Sequence, residues 1–270
     1  MDQGQENGNK MIGYNISHAK LLMKEIKNLY KNFGTTITDS FGTMTKTLDT
    51  YWVGEDEQSY CIELAKKVSK LYYNAYDTAE KGIDIIYKLM VSWHDFQTNN
   101  LLKSDGTKVQ LSSDIQITNI SESDKEKITD LKPESETGYV KYTTHTLSIG
   151  VRRGIVDGKS ATCKKALADF VDEIKKVTTT FKNTIEIKAG RAFFGQYTSK
   201  VEEALYNVAL LMESIITAVN DMYEAIDQLT TTNYGESVTE AESAMSNVSS
   251  SATSSQSNIT DKWQGSNATS

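Results

Sequence analysis

The sequence predicts an all-α protein in which two long antiparallel helical hairpins form a four-helix bundle. Two observations support this fold class. The 270-residue chain contains one proline, Pro133, so long helices can form without the lost hydrogen bond and the steric clash that proline causes. In two regions, apolar residues also recur every three or four positions and are interrupted once by an aromatic-x-glycine sequence. That spacing is typical of one buried helical face.

The first predicted hairpin covers residues 11–97. Its first apolar stripe ends at Tyr51, and its second begins at Cys61. Between the stripes, Trp52-Val53-Gly54 is followed directly by three acidic residues. A glycine can adopt positive φ and let the chain reverse, while acids are favoured at the start of the next helix by its dipole. We therefore expect the chain to turn at Gly54.

The second predicted hairpin, residues 160–230, repeats this plan. Its turn is Phe193-Phe194-Gly195, with an aromatic residue at the same place before the glycine. Such a tandem repeat predicts two similar hairpins, each with an exposed apolar face that docking of the other would cover. With ~35 residues in each helix, the bundle would be roughly 50 Å long. Gly34 and Gly42 weaken the first helix, so we expect a kink or break there.

The segments outside the hairpins have different compositions. Residues 98–159 alternate apolar and polar residues around a charged stretch, which predicts a small β-rich or loop insert. Residues 231–270 are rich in serine and threonine, and predict a flexible or weakly helical polar tail. The tail nevertheless keeps apolar residues at helical spacing and contains a second Trp-x-Gly, at Trp263 and Gly265.

Composition and motifs argue against several functional classes. The net charge of −7 with interspersed signs does not favour nucleic-acid binding. No apolar run reaches the ~18 residues that cross a bilayer, and we expect no cleavable signal peptide, because the N-terminus lacks a basic-then-apolar layout. The three histidines have no partners at metal-ligand spacing. Cys61 and Cys163 lie on apolar stripes, which favours buried thiols over a disulfide. We expect no enzyme activity, cofactor or metal.

The helix, Trp-x-Gly turn and helix resemble the WXG family of early-secreted-antigen-like proteins, which type VII secretion systems export from Gram-positive bacteria and mycobacteria. The resemblance covers residues 12–97 through Trp52 and Gly54 and, more loosely, residues 161–230 through Phe193 and Gly195. Family members pair as antiparallel dimers through four helices. This chain resembles two such partners fused into one.

The resemblance also implies an export signal and partners. In the family, a Tyr-x-x-x-Asp/Glu motif acts with the partner's Trp-x-Gly turn. The candidates with this spacing are three pairs, of which the first is the best placed for the role: Tyr223-Asp227, Tyr76-Glu80 and Tyr73-Asp77. The implied partner is the membrane ATPase of the secretion machinery, with either another WXG-like protein or a second copy of the chain as a further partner.

The leading functional hypothesis is a non-enzymatic exported substrate or secretion partner that acts through helical protein-protein surfaces. It would be cytoplasmic before export, and secreted or at the cell surface afterwards. The alternative is an α-helical membrane-acting or pore-forming toxin, which would need a strongly apolar insert. Charged residues interrupt residues 98–159 repeatedly, which favours the first hypothesis. An intracellular helical adaptor is a third hypothesis.

Overall fold

The protein is mostly helical, with four long helices and one two-stranded sheet. The computed structural model describes residues 13–51, 55–110, 119–144 and 160–229, together with residues 243, 244, 246, 247 and 250. In chain order the elements are β1 (Gly13–Tyr14), α1 (Ile16–Tyr51), α2 (Glu55–Asp95), α3 (Ser160–Ala192), β2 (Phe193–Phe194) and α4 (Gln196–Leu229). A π-helical turn at Phe96–Asn100 follows α2, and 3-10 turns lie at Glu122–Asp124 and Thr129–Leu131.

The sheet and one aromatic contact fix the directions of the helices. Tyr14 of β1 pairs antiparallel with Phe193 of β2, so α1 begins beside the turn between α3 and α4. The Trp93 ring lies 6.4 Å from the Tyr197 ring, centroid to centroid, so α2 ends at this same end of the molecule, called the sheet end below. Helices α1 and α4 therefore run away from the sheet end toward the far end, and α2 and α3 run toward it.

Each long helix packs against two others. Helix α1 contacts α2 and α3, and helix α4 contacts α2 and α3. An ion pair between Glu25 and Lys188, 4.0 Å apart, crosses from α1 to α3, and one between Lys182 and Glu213 crosses from α3 to α4. The apolar stripes predicted from the sequence are the faces that lie in the resulting core.

Helix α1 continues through both of its internal glycines. It extends from Ile16 to Tyr51, so the break expected at Gly34 or Gly42 does not occur. Asn15 stabilises the start of the helix, because its side-chain oxygen accepts a hydrogen bond from the His18 backbone amide at 3.1 Å. At Gly34 the absence of a side chain is required by packing, since a Cβ there would lie 2.5 Å from the Tyr139 hydroxyl.

The small sheet does not lie in the insert. It joins the residues before α1 to the turn between α3 and α4. Within 98–110 and 119–144, the described part of the insert, the structure contains an isolated bridge between Leu102 and Lys108 and two 3-10 turns, but no strand. Residues 111–118 and 145–159 lie outside the described part. Contacts with α1 and α2, rather than strand pairing, position residues 119–144.

Residues 119–144, called the strap below, cross the surface of α1 and α2 from the sheet end toward the far end. Asp124 pairs with Lys20 near the start of α1. Farther along, the Val140 amide donates to the Ser69 hydroxyl at 2.9 Å. Ile128 and Val140 are buried. The strap thus covers the seam of the first hairpin and joins α2 to a helix that starts at the opposite end.

Candidate functional site

The turn between α3 and α4 reverses the chain at Gly195. This residue adopts φ = 65°, a left-handed conformation that glycine reaches without the steric cost of a Cβ. The Thr198 hydroxyl donates to the Phe193 carbonyl at 2.7 Å, and the Thr198 amide donates to the Gly195 carbonyl at 3.2 Å. The Phe193 side chain is buried. The aromatic residue of this turn therefore acts in the core.

The Trp-x-Gly residues of the other two predicted motifs lie outside the described part of the chain. These residues are Trp52, Gly54, Trp263 and Gly265. Helix α1 ends at Tyr51, and α2 begins at Glu55 and runs back along it. The direction of the chain thus reverses between these two residues, which is where the sequence places the turn.

The candidate export pair Tyr223 and Asp227 lies in the last two turns of α4. The structure describes the helix there but not the side chains. Because α4 runs away from the sheet end and α1 does the same, this pair is at the end of the molecule where α1 stops and α2 starts.

Burial distinguishes the other two candidate pairs. Tyr76 is fully buried, and its hydroxyl donates to the Glu80 carboxylate at 3.0 Å. A buried ring cannot contact a partner protein while the chain is folded, so this pair is excluded as a surface signal. Tyr73 and Asp77 are half-buried, and burial raises the pKa of Asp77.

Four tyrosines form a cluster between α1, α2 and the strap. The Tyr72 ring stacks on Tyr30 with centroids 4.7 Å apart and on Tyr139 with centroids 3.9 Å apart. Tyr76 meets Tyr30 edge-on at 5.9 Å. The buried Tyr30 hydroxyl donates to the Tyr72 carbonyl at 3.1 Å, and burial raises the pKa of both phenols. The cluster attaches the strap to the first hairpin.

Helical periodicity in the sequence does not predict this cluster. Its members lie on three segments that are far apart in the chain. The one sequence signal was Gly34, a glycine inside a helix with no turn to explain it, which often marks a close approach. In the structure that approach is made by the hydroxyl groups of Tyr72 and Tyr139.

A buried carboxylate, Glu57, attaches the strap near the far end. Glu57 is 1% exposed and accepts a hydrogen bond from the Tyr142 hydroxyl at 2.8 Å and one from the Cys61 thiol at 3.0 Å. These donors offset part of the cost of burying a charge. Burial, and then the Glu57 charge, raise the pKa of the Cys61 thiol, and the same causes raise the pKa of Cys163 to about 11. Both cysteines are free and buried, as predicted.

Ion pairs attach the strap near the sheet end. Lys27 lies 3.0 Å from Asp130, and Lys125 lies 2.6 Å from Asp84. The hydrogen bond from Lys20 lowers the pKa of Asp124. Burial would raise the pKa of Asp84, but hydrogen bonds from two lysines outweigh it and lower that pKa. The strap is thus attached by charges near the sheet end and by the contacts of Tyr139 and Tyr142 farther along.

An aromatic group connects the end of α2 to the start of α4. The Trp93 ring contacts Phe96 edge-on at 5.9 Å and Tyr197 at 6.4 Å. Phe96 and Leu102 are about half exposed, at 46% and 55%. This end of the molecule therefore combines a packed aromatic contact with apolar surface.

The described residues contain no group of three or more His, Cys, Asp or Glu side chains placed to hold a metal ion. Among the helices that the structure describes, none combines the length and the apolar character needed to span a membrane. Comparisons with known proteins found no match: no family model, no curated protein and no solved structure matches the chain.

Proposed function

We propose that this chain is a non-enzymatic protein associated with type VII secretion, either an exported substrate or a secretion partner, which acts through helical surfaces. One observation supports the proposal above the others. The hairpin of α1 and α2 lies against the hairpin of α3 and α4, with α1 beside α3 and α2 beside α4. Corresponding helices of the two hairpins run in opposite directions, as they would in an antiparallel dimer of separate WXG proteins.

We also propose that the four helices close into a four-helix bundle. The packing order is α1, α2, α4, α3 and back to α1. Each apolar stripe then faces the interior, where helices of about 33 to 41 residues bury one face along most of their length. On this view the chain is already paired with itself before it meets the secretion machinery.

The proposed export signal combines one motif from the first hairpin with one motif from the second. Trp52 and Gly54 lie between α1 and α2 in the sequence, and Tyr223 and Asp227 lie near the end of α4. The helix directions favour their placement at the same end of the molecule. Burial of Tyr76 favours Tyr223 over the Tyr76-Glu80 pair. The proposed receptor is the membrane ATPase, with another WXG-like protein or a second copy as a further partner.

The test is export from a Gram-positive host in two strains that differ only in the type VII ATPase. The chain is expressed in both strains, and its extracellular amount is compared with its cell-associated amount. We expect at least a tenfold lower ratio in the strain without ATPase, with a cytoplasmic enzyme measured as the control for lysis. Equal ratios in the two strains would exclude type VII export.

A further inference from the structure

A groove lies between α1 and α3 on the side of the molecule that the strap does not cover. Its volume is about 480 Å³. It occupies the half of the α1-α3 contact nearer the far end. The α1 residues that line it extend from Thr36 to Thr47, and the α3 residues extend from Thr162 to Glu173. Met44 and Phe170 lie at its base and are almost completely buried.

The α1 wall of the groove carries small side chains whose hydroxyls are already bonded, beside the Asp39 carboxylate. The Thr43 hydroxyl donates to the Asp39 carbonyl at 3.0 Å, and the Thr47 hydroxyl donates to the Thr43 carbonyl at 3.1 Å. The Ser40 hydroxyl donates to the Thr36 carbonyl in the same way. Because these donors are used within α1, the serine and threonine side chains of this wall present mainly methyl and methylene groups. On the α3 wall, Lys165 and Asp169 are paired with each other at 2.7 Å. A helix with small apolar residues could therefore approach the α1 wall closely without leaving these hydroxyls unsatisfied.

We propose that residues 238–252 of the same chain dock in this groove as a fifth helix. Their apolar residues alternate spacings of three and four, as in one narrow packing seam: Val238, Ala241, Met245, Val248 and Ala252. Ser243, Ala244, Ser246, Asn247 and Ser250 are helical in the structure. Of these, the three serines and the asparagine are exposed, and none of the five belongs to the seam.

The lengths fit this intramolecular docking. Helix α4 ends at Leu229 toward the far end, and the groove lies in the half of the molecule nearer that end. Residues 230–237 can span about 26 Å when extended, enough to pass from α4 across the neighbouring α3, since packed helices are 8–10 Å apart. The seam from 238 to 252 would be about 21 Å long, and the α1 wall from Thr36 to Thr47 is about 17 Å long.

The charges favour one orientation of the docked segment. The three acids of the tail that lie near the seam are Glu236, Glu240 and Glu242, all before its midpoint. If the segment enters at the far end, these acids lie nearest Lys46 and Lys165, and only uncharged residues follow as far as Thr260. Of the three groove acids, Asp39 and Glu173 lie at the opposite end of the groove, and Asp169 is paired with Lys165. The tail would thus run antiparallel to α4, with like charges kept apart.

Amide hydrogen exchange of the full-length chain tests this inference independently of secretion. A free peptide with the tail sequence gives the unprotected rate. We expect amides of residues 238–252 to exchange at least tenfold more slowly in the protein than in the peptide. Thr43→Arg places a long charged side chain in the groove and should abolish this protection. Thr35→Arg is the matched control, since Thr35 is an exposed residue of α1 that does not line the groove.

A second variant, Met245→Asp, leaves the helices of the groove unchanged and should also abolish protection, measured against its own peptide. Protection that is absent in the wild type, or that is the same in Thr43→Arg and Thr35→Arg, would overturn the inference. Protection that falls when the protein is diluted would also overturn it, because the occupant would then be a second copy. Loss of export with normal tail protection would contradict only the proposed function.

Discussion

The Tyr139 ring of the strap stacks on the Tyr72 ring of α2, with centroids 3.9 Å apart and an angle of 21° between the planes. This contact fixes the position of the strap relative to the first hairpin. The other face of the cluster is closed by Tyr30 of α1, which stacks on Tyr72. A loop segment and two helices are therefore joined by stacked aromatic rings.

Removal of the Tyr139 ring should destabilise the protein. We expect Tyr139→Ala to lower the free energy of unfolding by about 2 kcal/mol, because a partly buried ring and its stacking contact are both lost. Tyr139→Phe keeps the ring and should lose less than half as much. Urea unfolding followed by circular dichroism measures both values. Equal losses in the two variants would show that the hydroxyl, rather than the stacked ring, stabilises the strap.

The two glycines inside α1 should respond in opposite ways to alanine. A Cβ at Gly42 meets no other atom within 4 Å, so Gly42→Ala should stabilise the helix by up to about 1 kcal/mol. At Gly34 a Cβ collides with the hydroxyls of Tyr72 and Tyr139, and these rings are held by stacking. Gly34→Ala should therefore destabilise by about 1 to 3 kcal/mol. Thermal unfolding of the two variants side by side tests this, and stabilisation by both would contradict the packing at Gly34.

These glycines also show what the sequence could predict. Periodicity predicted the four long helices, because an apolar stripe at helical spacing is a local property. The same reasoning treated Gly34 and Gly42 alike and expected a kink or break at both. It could not distinguish them, because the atoms that occupy the space beside Gly34 come from distant segments. The contact of Glu57 with Tyr142 was equally hidden. Glu57 and Tyr142 lie in segments whose local sequence patterns do not identify each other as partners.

For the turn between α3 and α4, the sequence predicted the position but not the role of the aromatic residue. The glycine at position 195 indicated a reversal, and the structure has positive φ there. Its aromatic neighbour Phe193 could not be assigned to core or surface from sequence alone, because either role is compatible with the motif. The pairing of β1 with β2 was not predicted, since two residues on each side are too few to give a strand pattern.

Substitution at the second turn should show its backbone requirement. Gly195→Ala places a Cβ at φ = 65° and should cost about 1 to 2 kcal/mol of stability. Gly190→Ala, five residues earlier in α3 and in open space, should instead stabilise by up to about 1 kcal/mol. The difference between the two variants, measured by chemical unfolding, reports on the turn alone. Similar stabilities for both would indicate that this turn does not require glycine.

The ion pairs of the strap should make stability depend on acidic pH. The pKa of Asp124 is lowered by Lys20, so its contribution is present above the carboxyl pKa of the unfolded chain, ~3.9, and is lost as the pH falls through the folded-state pKa. Lys20→Met should lower the free energy of unfolding at pH 6 by at most about 1 kcal/mol. The two proteins should converge by about pH 2. A constant difference across this range would contradict a stabilising charge at Asp124.

Central to the proposed function is that one chain contains both parts of a type VII export signal, at Trp52 of the first hairpin and Tyr223 of α4. The most direct measurement is the ratio of extracellular to cell-associated protein for Tyr223→Ala in a host with an intact type VII ATPase. Tyr206→Ala, a partly exposed tyrosine of the same helix, is the control, and thermal unfolding checks that both variants remain folded. We predict at least a tenfold fall for Tyr223→Ala and wild-type export for Tyr206→Ala. Wild-type export of folded Tyr223→Ala would contradict the claim.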